Sequence, residues 1–187
     1  MKEYLKSFNI LSEDEIDLFV SKVKYKRLKK GDFFIKEGET CSEIAFIASG
    51  FVRSYYHSSS GEETTYCLSL PSSFISAYSS FLTQSKTIES IQALCDVELY
   101  TISRNEILEM EETSINSLRF SKFMAEQEYI KLEKRIFLLQ KETAEMRYQN
   151  LLNTQPELLQ LIPLNYLASY LGITQRHLSR IRKSLSN

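Results

Sequence analysis

Apolar and polar positions follow two different periods along this chain of 187 residues. Residues 1–24 have apolar side chains at helical spacing, and Ser12 with Glu15 has the form of a capping box at a helix start. Residues 25–104 instead contain short runs rich in Phe, Tyr, Ile, Val and Thr, and these runs are separated by glycines. Such runs between turn signals predict β-strands.

The predicted strands are short and lie close together along the chain. They are residues 33–36, 44–48, 51–57, 64–70, 90–93 and 98–103. Four of the five glycines fall within the same stretch, where turns need positive φ angles. The pattern therefore predicts an antiparallel barrel or sandwich.

Residues 105–152 contain neither glycine nor proline and are rich in helix formers. We expect one long helix or two, with an apolar stripe that a small domain cannot cover alone. The stripe consists of Leu118, Phe123, Met124, Ile130, Phe137 and Leu138. A second copy of the chain is the simplest partner for it. Packing against the chain's own domain is the alternative.

Residues 163–185 have the pattern of a helix-turn-helix. Leucine or alanine recurs at i, i+3, i+4 and i+7 on one face of a first helix that starts near Pro163. Gly172 can take the left-handed conformation that ends this helix, and Thr174 can cap the next one. The second helix has Leu178, Ile181 and Leu185 on one face, which we expect to pack inward.

The second helix also carries the candidate DNA-binding residues. Arg176, Arg180 and Lys183 fall on the face opposite these apolar residues, with Ser179 beside them and Gln175 near the N-terminal end, and the full set is Thr174, Gln175, Arg176, Ser179, Arg180, Arg182 and Lys183. Arginine can donate two hydrogen bonds to guanine, and glutamine can pair likewise with adenine. Arg182 and Lys183 suit phosphates, which position a protein without reading sequence. A helical hairpin with a solvated basic face is the alternative interpretation.

Charge and composition sharpen this picture. The net charge is −1, but residues 153–187 carry four cations and one anion, so residues 1–152 carry −4. A weakly acidic body with a basic end fits DNA contact by that end. No apolar run approaches the ~20 residues that cross a membrane, and residues 1–6 lack the apolar core of a secretory signal. We therefore expect a cytoplasmic protein that binds no membrane.

Candidate chemistry is sparse. The three cysteines are odd in number and widely spaced, so we expect neither disulfides nor a metal site, and read them as small buried or half-buried apolar residues. His57 and His177 are the two histidines, and neither stands in a nucleophile or metal spacing. We expect no catalytic residues, no metal and no cofactor, which argues against an enzyme.

The order of elements and several short motifs resemble the Crp/Fnr family of bacterial regulators. The matching pieces are Lys30-Gly31-Asp32-Phe33, Lys36-Glu37-Gly38-Glu39, Ala48-Ser49-Gly50-Phe51-Val52-Arg53, Pro71-Ser72-Ser73-Phe74, Met146-Arg147-Tyr148 and the run 178–183. The resemblance implies an α+β fold with an antiparallel, jelly-roll-like β-roll effector domain at 1–112. A dimerisation helix and hinge would follow at 113–152, and a small helix-turn-helix domain at 153–187.

The same resemblance implies the partners and the reading residues. We expect double-stranded DNA, a second copy of the chain through residues 115–141, and RNA polymerase as partners. The recognition helix would be residues 174–183, with Gln175, Arg176 and Arg180 at the DNA-reading positions. Relative to the family's winged DNA-binding domain we expect a shortened one, since the sequence stops just after that helix.

One departure from the family pattern concerns the effector. Members that bind cyclic AMP use Gly-Glu and, about ten residues later, an arginine followed by a small hydroxyl residue. Here Ser76-Ala77 replaces Gly-Glu, Thr87 stands at the arginine position, and Lys86 is the nearest cation. A lysine offers a point charge where arginine offers a planar fork. We therefore expect no cyclic AMP binding by the usual chemistry.

Two alternatives for the effector stay open at this point. The candidate pocket is Phe74, Ser76, Ala77, Tyr78, Lys86 and Thr87. A cyclic nucleotide could bind through a non-standard cassette around residues 76–87, or the domain could bind an unknown effector or none. An iron–sulfur sensor of the Fnr type needs clustered cysteine ligands, which the spread of Cys41, Cys67 and Cys95 disfavours.

Overall fold

The computed structural model describes residues 1–185, so the last two residues of the predicted 153–187 domain lie outside the described residues. The described part is α+β, as expected. In chain order its elements are α1 (Lys2–Lys6), α2 (Glu13–Lys22), β1 (Lys24–Leu28), β2 (Phe33–Ile35), β3 (Glu43–Ser49), β4 (Val52–His57), β5 (Glu63–Ser69), β6 (Phe74–Ile75), α3 (Tyr78–Thr83), β7 (Ser90–Ala93), β8 (Val97–Ser103), α4 (Arg104–Thr113), α5 (Ile115–Lys141), α6 (Ala144–Thr154), α7 (Leu158–Leu161), α8 (Leu164–Tyr170) and α9 (Gln175–Leu185).

The N-terminal stretch contains two helices where a helical pattern was predicted. The capping box before α2 is present, with the Ser12 hydroxyl accepting from the Glu15 backbone and the Glu15 carboxylate accepting from the Ser12 backbone. This box starts α2 afresh and separates it from α1. The strand β1, which follows at once, was missed because its charged residues alternate poorly with apolar ones.

The strands form two four-stranded sheets. One has the order β1-β8-β3-β6 and the other β2-β7-β4-β5, and the pairs β1/β8, β3/β8, β3/β6 and β2/β7 are antiparallel. A core of small and branched side chains from both sheets lies between them. This arrangement confirms the predicted antiparallel β-roll, in which side chains of alternate residues fill the interior.

Gly50 shows why the roll needs a glycine at the β3–β4 turn. Its φ angle is +81°, and a Cβ atom built there would lie 2.3 Å from the carbonyl oxygen of Asp96 and 2.9 Å from the Val97 Cα. The obstructing atoms are backbone and cannot rotate away. The turn therefore packs against the start of β8 only with glycine at this position.

The long helix α5 buries one side and exposes another, so the residues of the predicted apolar stripe divide between packing within the chain's own domain and exposure. Phe120, Phe123 and Met124 pack with the N-terminal helices; the Phe8 ring lies 5.8 Å from Phe120 and 5.4 Å from Phe123. Leu118 and Phe137, from the same predicted stripe, are 47% and 57% exposed. The helix is long enough for different turns to face different surroundings.

The chain divides into two compact units. The roll unit consists of Met1–Ser54 and Leu68–Gln127, and the terminal unit of Tyr55–Cys67 with the described residues from Glu128 onward. The strands β4 and β5 and the helix α5 each contribute residues to both units. The predicted boundaries at 112 and 152 stay a prediction.

Candidate DNA-binding helix and effector pocket

The helix-turn-helix pattern corresponds to α8, a tight turn and α9. Gly172 has a φ angle of +68°, and the backbone N–H of Ile173 donates to the Ala168 carbonyl at 3.0 Å. This bond closes the C-terminal cap that glycine permits. The Thr174 hydroxyl accepts from the His177 N–H at 3.2 Å and caps α9, as its sequence position predicts.

The inner face of α9 anchors it to the rest of the terminal unit. Leu178 and Ile181 are buried, as are Leu167, Ala168 and Leu171 of the preceding helix and turn. Leu185, which was expected to pack inward, is instead 46% exposed.

All the candidate DNA-binding residues are exposed, and Arg176, Arg180 and Lys183 among them form the outer face of α9, opposite Leu178 and Ile181. The Ser179 hydroxyl donates to the Gln175 carbonyl at 3.0 Å, within the helix. No carboxylate in residues 1–185 forms an ion pair with Arg176, Arg180 or Lys183. Three exposed cations that pair with no carboxylate of the described residues are suited to a polyanion.

Two arginines that the sequence did not single out for this site bond the end of α8. Arg135 of α5 donates through Nη2 to the Tyr170 carbonyl, and Arg147 of α6 donates through Nε to the Leu171 carbonyl at 2.9 Å. The Arg135 guanidinium carbon also lies 3.9 Å from the centroid of the Tyr170 ring. Arg147 belongs to a motif that resembled the family, whereas nothing in the sequence pattern pointed to Arg135.

The β4–β5 hairpin also contacts α8 within the terminal unit. The Thr65 backbone N–H donates to the Ser169 hydroxyl at 2.8 Å, and the same hydroxyl donates to the Glu63 carbonyl at 3.4 Å. Both hairpin groups belong to β5, the last strand in its sheet order. A serine of α8 therefore bonds backbone groups at a sheet edge.

The predicted effector residues are distributed over two hydrophobic clusters of the roll unit. Phe74 packs edge-on against Phe46, with ring centroids 5.3 Å apart, in the cluster beneath the N-terminal helices. Ala77 is fully buried in the core between the sheets, where Tyr78 stacks on Phe81. Lys86, the candidate phosphate partner, is exposed.

Several polar side chains of this segment are bonded within the fold. The Ser76 hydroxyl donates to the Glu43 carbonyl at 3.0 Å, and the Thr87 hydroxyl accepts from the Glu89 N–H at 3.1 Å. Buried Ser80, which the sequence reading missed, accepts from the Cys41 N–H at 2.9 Å and donates to the Ser85 carbonyl.

Backbone bonds tie the same segment to the loop before β3. The Gly38 N–H donates to the Thr87 carbonyl, and the Thr87 N–H donates to the Glu39 carbonyl, each at 2.8 Å. The Gln84 amide donates to the Cys41 carbonyl at 3.0 Å and the Phe81 carbonyl at 2.8 Å. Bonds that the chain makes to itself thus hold Ser80, Gln84 and Thr87 against the loop before β3.

Metal and membrane chemistry have little support in the described part of the chain. Within residues 1–185, no group of three or more His, Cys, Asp or Glu side chains is placed to hold a metal ion. Cys41 is buried and the other two cysteines are half-buried, and all three are free thiols. None of the helices between residues 1 and 185 combines the length and apolar character of a membrane span.

Comparison with known proteins supports the fold. Residues 25–114 match the family model of the cyclic nucleotide-binding domain. No significant match is found among curated protein sequences. Among solved structures, FixK2 from Bradyrhizobium japonicum superposes with a TM-score of 0.77 at 20% identity, covering 88% of this chain and 84% of that one.

Two further structures agree. A Crp/Fnr-family transcriptional regulator from Eubacterium rectale gives a TM-score of 0.73 at 18% identity, over 98% of this chain and 88% of that one. The catabolite activator protein of Thermus thermophilus gives 0.60 at 22% identity, over 94% and 84%. The chain therefore has the fold of these Crp/Fnr-type structures, which confirms the fold that the sequence resemblance implied.

Proposed function

We propose that this protein is a homodimeric transcription regulator that binds specific sequences of double-stranded DNA. The observation that carries the proposal is the exposed basic face of α9 on a helix-turn-helix. Its inner face is anchored by buried Leu178 and Ile181, so the outer side chains can enter a major groove without unfolding the domain.

The candidate residues divide into two roles. Gln175, Arg176 and Arg180 lie where base edges would be reached, and each bidentate contact contributes about 1–3 kcal/mol of discrimination. Arg182 and Lys183, near the C-terminal end, suit phosphate contacts, as do the hydroxyls of Thr174 and Ser179. The domain from residue 153 would be the DNA-binding part.

The dimer proposal rests on the exposed side of α5. Ile115, Leu118, Tyr129, Leu132, Ile136 and Leu139 are all exposed apolar side chains of this helix. Their spacing alternates between three and four residues when the intervening Lys122 and Ala125 are included, which is the pattern of a coiled-coil seam. A concavity of about 340 Å³ lies along Tyr129, Leu132 and Ile136. A second α5 would cover the seam and place two recognition helices ~34 Å apart.

The effector domain is proposed to lack the usual cyclic AMP chemistry. A cyclic phosphate needs a buried cation or a set of unused donors, whereas Lys86 is exposed and the hydroxyls of Ser76 and Thr87 already take part in bonds of the fold. The second candidate is a cyclic-nucleotide-responsive regulator with a non-standard cassette at 76–87. The match of residues 25–114 to the cyclic nucleotide-binding domain favours that candidate.

The remaining parts of the proposal follow from the regulator function. A protein of this kind acts in the cytoplasm, where it meets DNA and RNA polymerase, and it carries no catalytic centre of its own. Whether it recruits or blocks the polymerase is a property of the operator position. The genes that flank its own gene are the first DNA to test.

The decisive experiment is selection of duplexes from a random pool by the full chain, followed by gel shift. We expect one enriched half-site sequence. The variants Arg176→Ala and Arg180→Ala should bind it at least about tenfold more weakly. Lys29→Ala, which removes an exposed cation between β1 and β2, is the control. Equal binding by the α9 variants and the control would refute the assignment of the reading face.

Two measurements test the other parts. Light scattering should report a dimer at micromolar concentration, and Ile136→Glu, which places a charge in the seam, should yield monomer; a monomeric parent would refute the dimer.

A thermal-shift series with cyclic AMP and other cyclic nucleotides separates the effector alternatives. A ligand at 100 times its dissociation constant stabilises by ~2.7 kcal/mol, so a shift with cyclic AMP would favour the second candidate.

A further inference from the structure

Two arginines from outside the helix-turn-helix bond the end of its first helix. We propose that Arg135, assisted by Arg147, is a positioning residue that holds the recognition helix in one orientation on the end of α5. The inference rests on the proposed DNA-binding function, because it concerns what fixes the reading helix and leaves open what that helix reads.

The contacts fall on the carbonyls that a helix cannot satisfy by itself. The last carbonyls of α8 have no partner within the helix. Arg135 Nη2 donates to the Tyr170 carbonyl, and Arg147 Nε donates to the Leu171 carbonyl at 2.9 Å. Both acceptors lie immediately before the Gly172 turn. The side chains of α5 and α6 thus hold the point from which α9 departs.

Arg147 joins this point to the end of α5 as well. Its Nη1 donates to the Glu142 carbonyl at 2.8 Å and to the Leu139 carbonyl at 3.3 Å. The Leu139 Cδ2 atom lies 3.3 Å from the place where a Cβ on Gly172 would stand. The turn of the helix-turn-helix therefore lies directly against the last turns of α5.

The environment of Arg135 distinguishes positioning from simple stabilisation. Its Nε and Nη1 atoms are buried without a hydrogen bond, and no carboxylate in the part of the chain that the structure describes pairs with it. Burial lowers the pKa of its guanidinium, and the nearby Arg147 cation acts in the same direction. An apolar residue of similar volume would avoid this cost.

Arginine supplies two things at this position that an apolar residue cannot. Its planar group stacks on the Tyr170 ring, 3.9 Å from the centroid, while an N–H bonds the carbonyl of the same residue. Stacking and bonding together fix both the distance and the tilt of the end of α8. A lysine would keep the charge but lacks the planar guanidinium group that stacks on the ring.

A small tilt at this point becomes a large displacement along α9. The recognition helix begins at Gln175 and has 11 residues, so it extends about 16 Å from the turn. In a dimer, the separation of the two reading faces depends on this angle in both copies. We therefore expect the two arginines to determine which half-site spacing is bound, while the side chains of α9 determine the half-site sequence.

The first test needs no DNA and uses amide hydrogen exchange of the full chain. The variants are Arg135→Met, which keeps an apolar stem, and Arg135→Lys, which keeps the charge. Amides in residues 164–173 should exchange about tenfold faster in both. Lys134→Met, which removes an exposed cation one residue away, should leave them unchanged. Protection equal to that of the parent in both Arg135 variants would overturn the proposal.

The second test repeats the duplex selection with the same variants. The parent should enrich one half-site at one spacing, and Arg135→Met should enrich the same half-site over several spacings, with an unfolding temperature within a few degrees of the parent. An unchanged spacing distribution would overturn the positioning role. Selection of no sequence by the parent would instead refute DNA binding, and the exchange result identifies which inference has failed.

Discussion

The effector segment 74–89 and the recognition helix α9 are both rich in polar side chains, but they use them differently. In the effector segment, Ser80 and Gln84 bond backbone groups of the neighbouring loop. On α9, Arg176 and Arg180 are exposed and pair with no carboxylate of the described chain. Polar atoms that the fold already bonds stabilise the protein, whereas those left exposed can bind a partner. Substitutions in the two regions should therefore change different measurements.

The largest expected effect contrasts one glycine of each unit. Gly50→Ala should cost about 3 kcal/mol of unfolding free energy, because its Cβ would meet backbone atoms at 2.3 and 2.9 Å. Gly172→Ala should cost only ~1 kcal/mol, since the nearest atom is the end of a leucine side chain at 3.3 Å and the left-handed φ is the main strain. Urea denaturation of both variants measures the difference; equal losses would contradict it.

The next effect compares two serines that both bond backbone atoms. Ser80→Ala should cost about 1–3 kcal/mol, because it leaves the buried Cys41 N–H without its acceptor. Ser179→Ala should stay within ~0.5 kcal/mol of the parent, since its hydroxyl is exposed and donates within its own helix. Thermal unfolding of the pair is the measurement. A stability loss at Ser179 as large as that at Ser80 would break the comparison.

The Glu15 carboxylate, which is hydrogen-bonded within the roll unit, gives a third effect that depends on pH. The Ser114 hydroxyl and, with a smaller effect, the Ser12 backbone N–H donate to this carboxylate and lower its pKa from 4.5 to about 2. Its stabilising contribution is therefore complete above pH 4.5 and is lost as the pH falls towards 2. At pH 7 Glu15→Gln should cost about 1.5 kcal/mol, and the parent and variant should converge near pH 2 in denaturation experiments.

The smallest expected effect on stability belongs to the reading face. Arg176→Ala and Arg180→Ala should change the unfolding free energy by no more than ~0.5 kcal/mol, because neither side chain is packed or paired within the described chain. The same variants should weaken DNA binding. A destabilisation of 2 kcal/mol would show that these arginines hold the fold, and would remove the contrast with the effector segment.

Local pattern was enough for the elements whose neighbours along the chain decide their structure. The strand β7 spans the predicted residues 90–93, and the Gly172 cap and Thr174 cap follow from residue type. The strand β6 and the helix α3 were missed, because serine-rich residues 72–80 have a loop-like composition that packing overrides. The exposure of polar side chains could be predicted only for α9, because apolar and charged residues fall on opposite faces of that helix.

Contacts between distant residues could not be read from the sequence. Arg135 and Tyr170 are separated by 35 positions, and Thr65 and Ser169 by 104. No periodicity connects such pairs. The division of the α5 stripe into a buried and an exposed part likewise depends on where the segment between α1 and α2 packs, since Phe8 of that segment contacts Phe120 and Phe123.

The strands β4 and β5 have a practical consequence for dissecting this protein. Because residues 55–67 belong to the terminal unit, the chain crosses between the units three times. A fragment that begins at Glu128 would lack the Thr65 N–H that bonds Ser169. A fragment that ends at Gln127 would contain the β4–β5 hairpin without the C-terminal helices of its own unit. Gene fusions and domain exchanges between regulators of this fold should therefore transplant the hairpin together with the C-terminal helices.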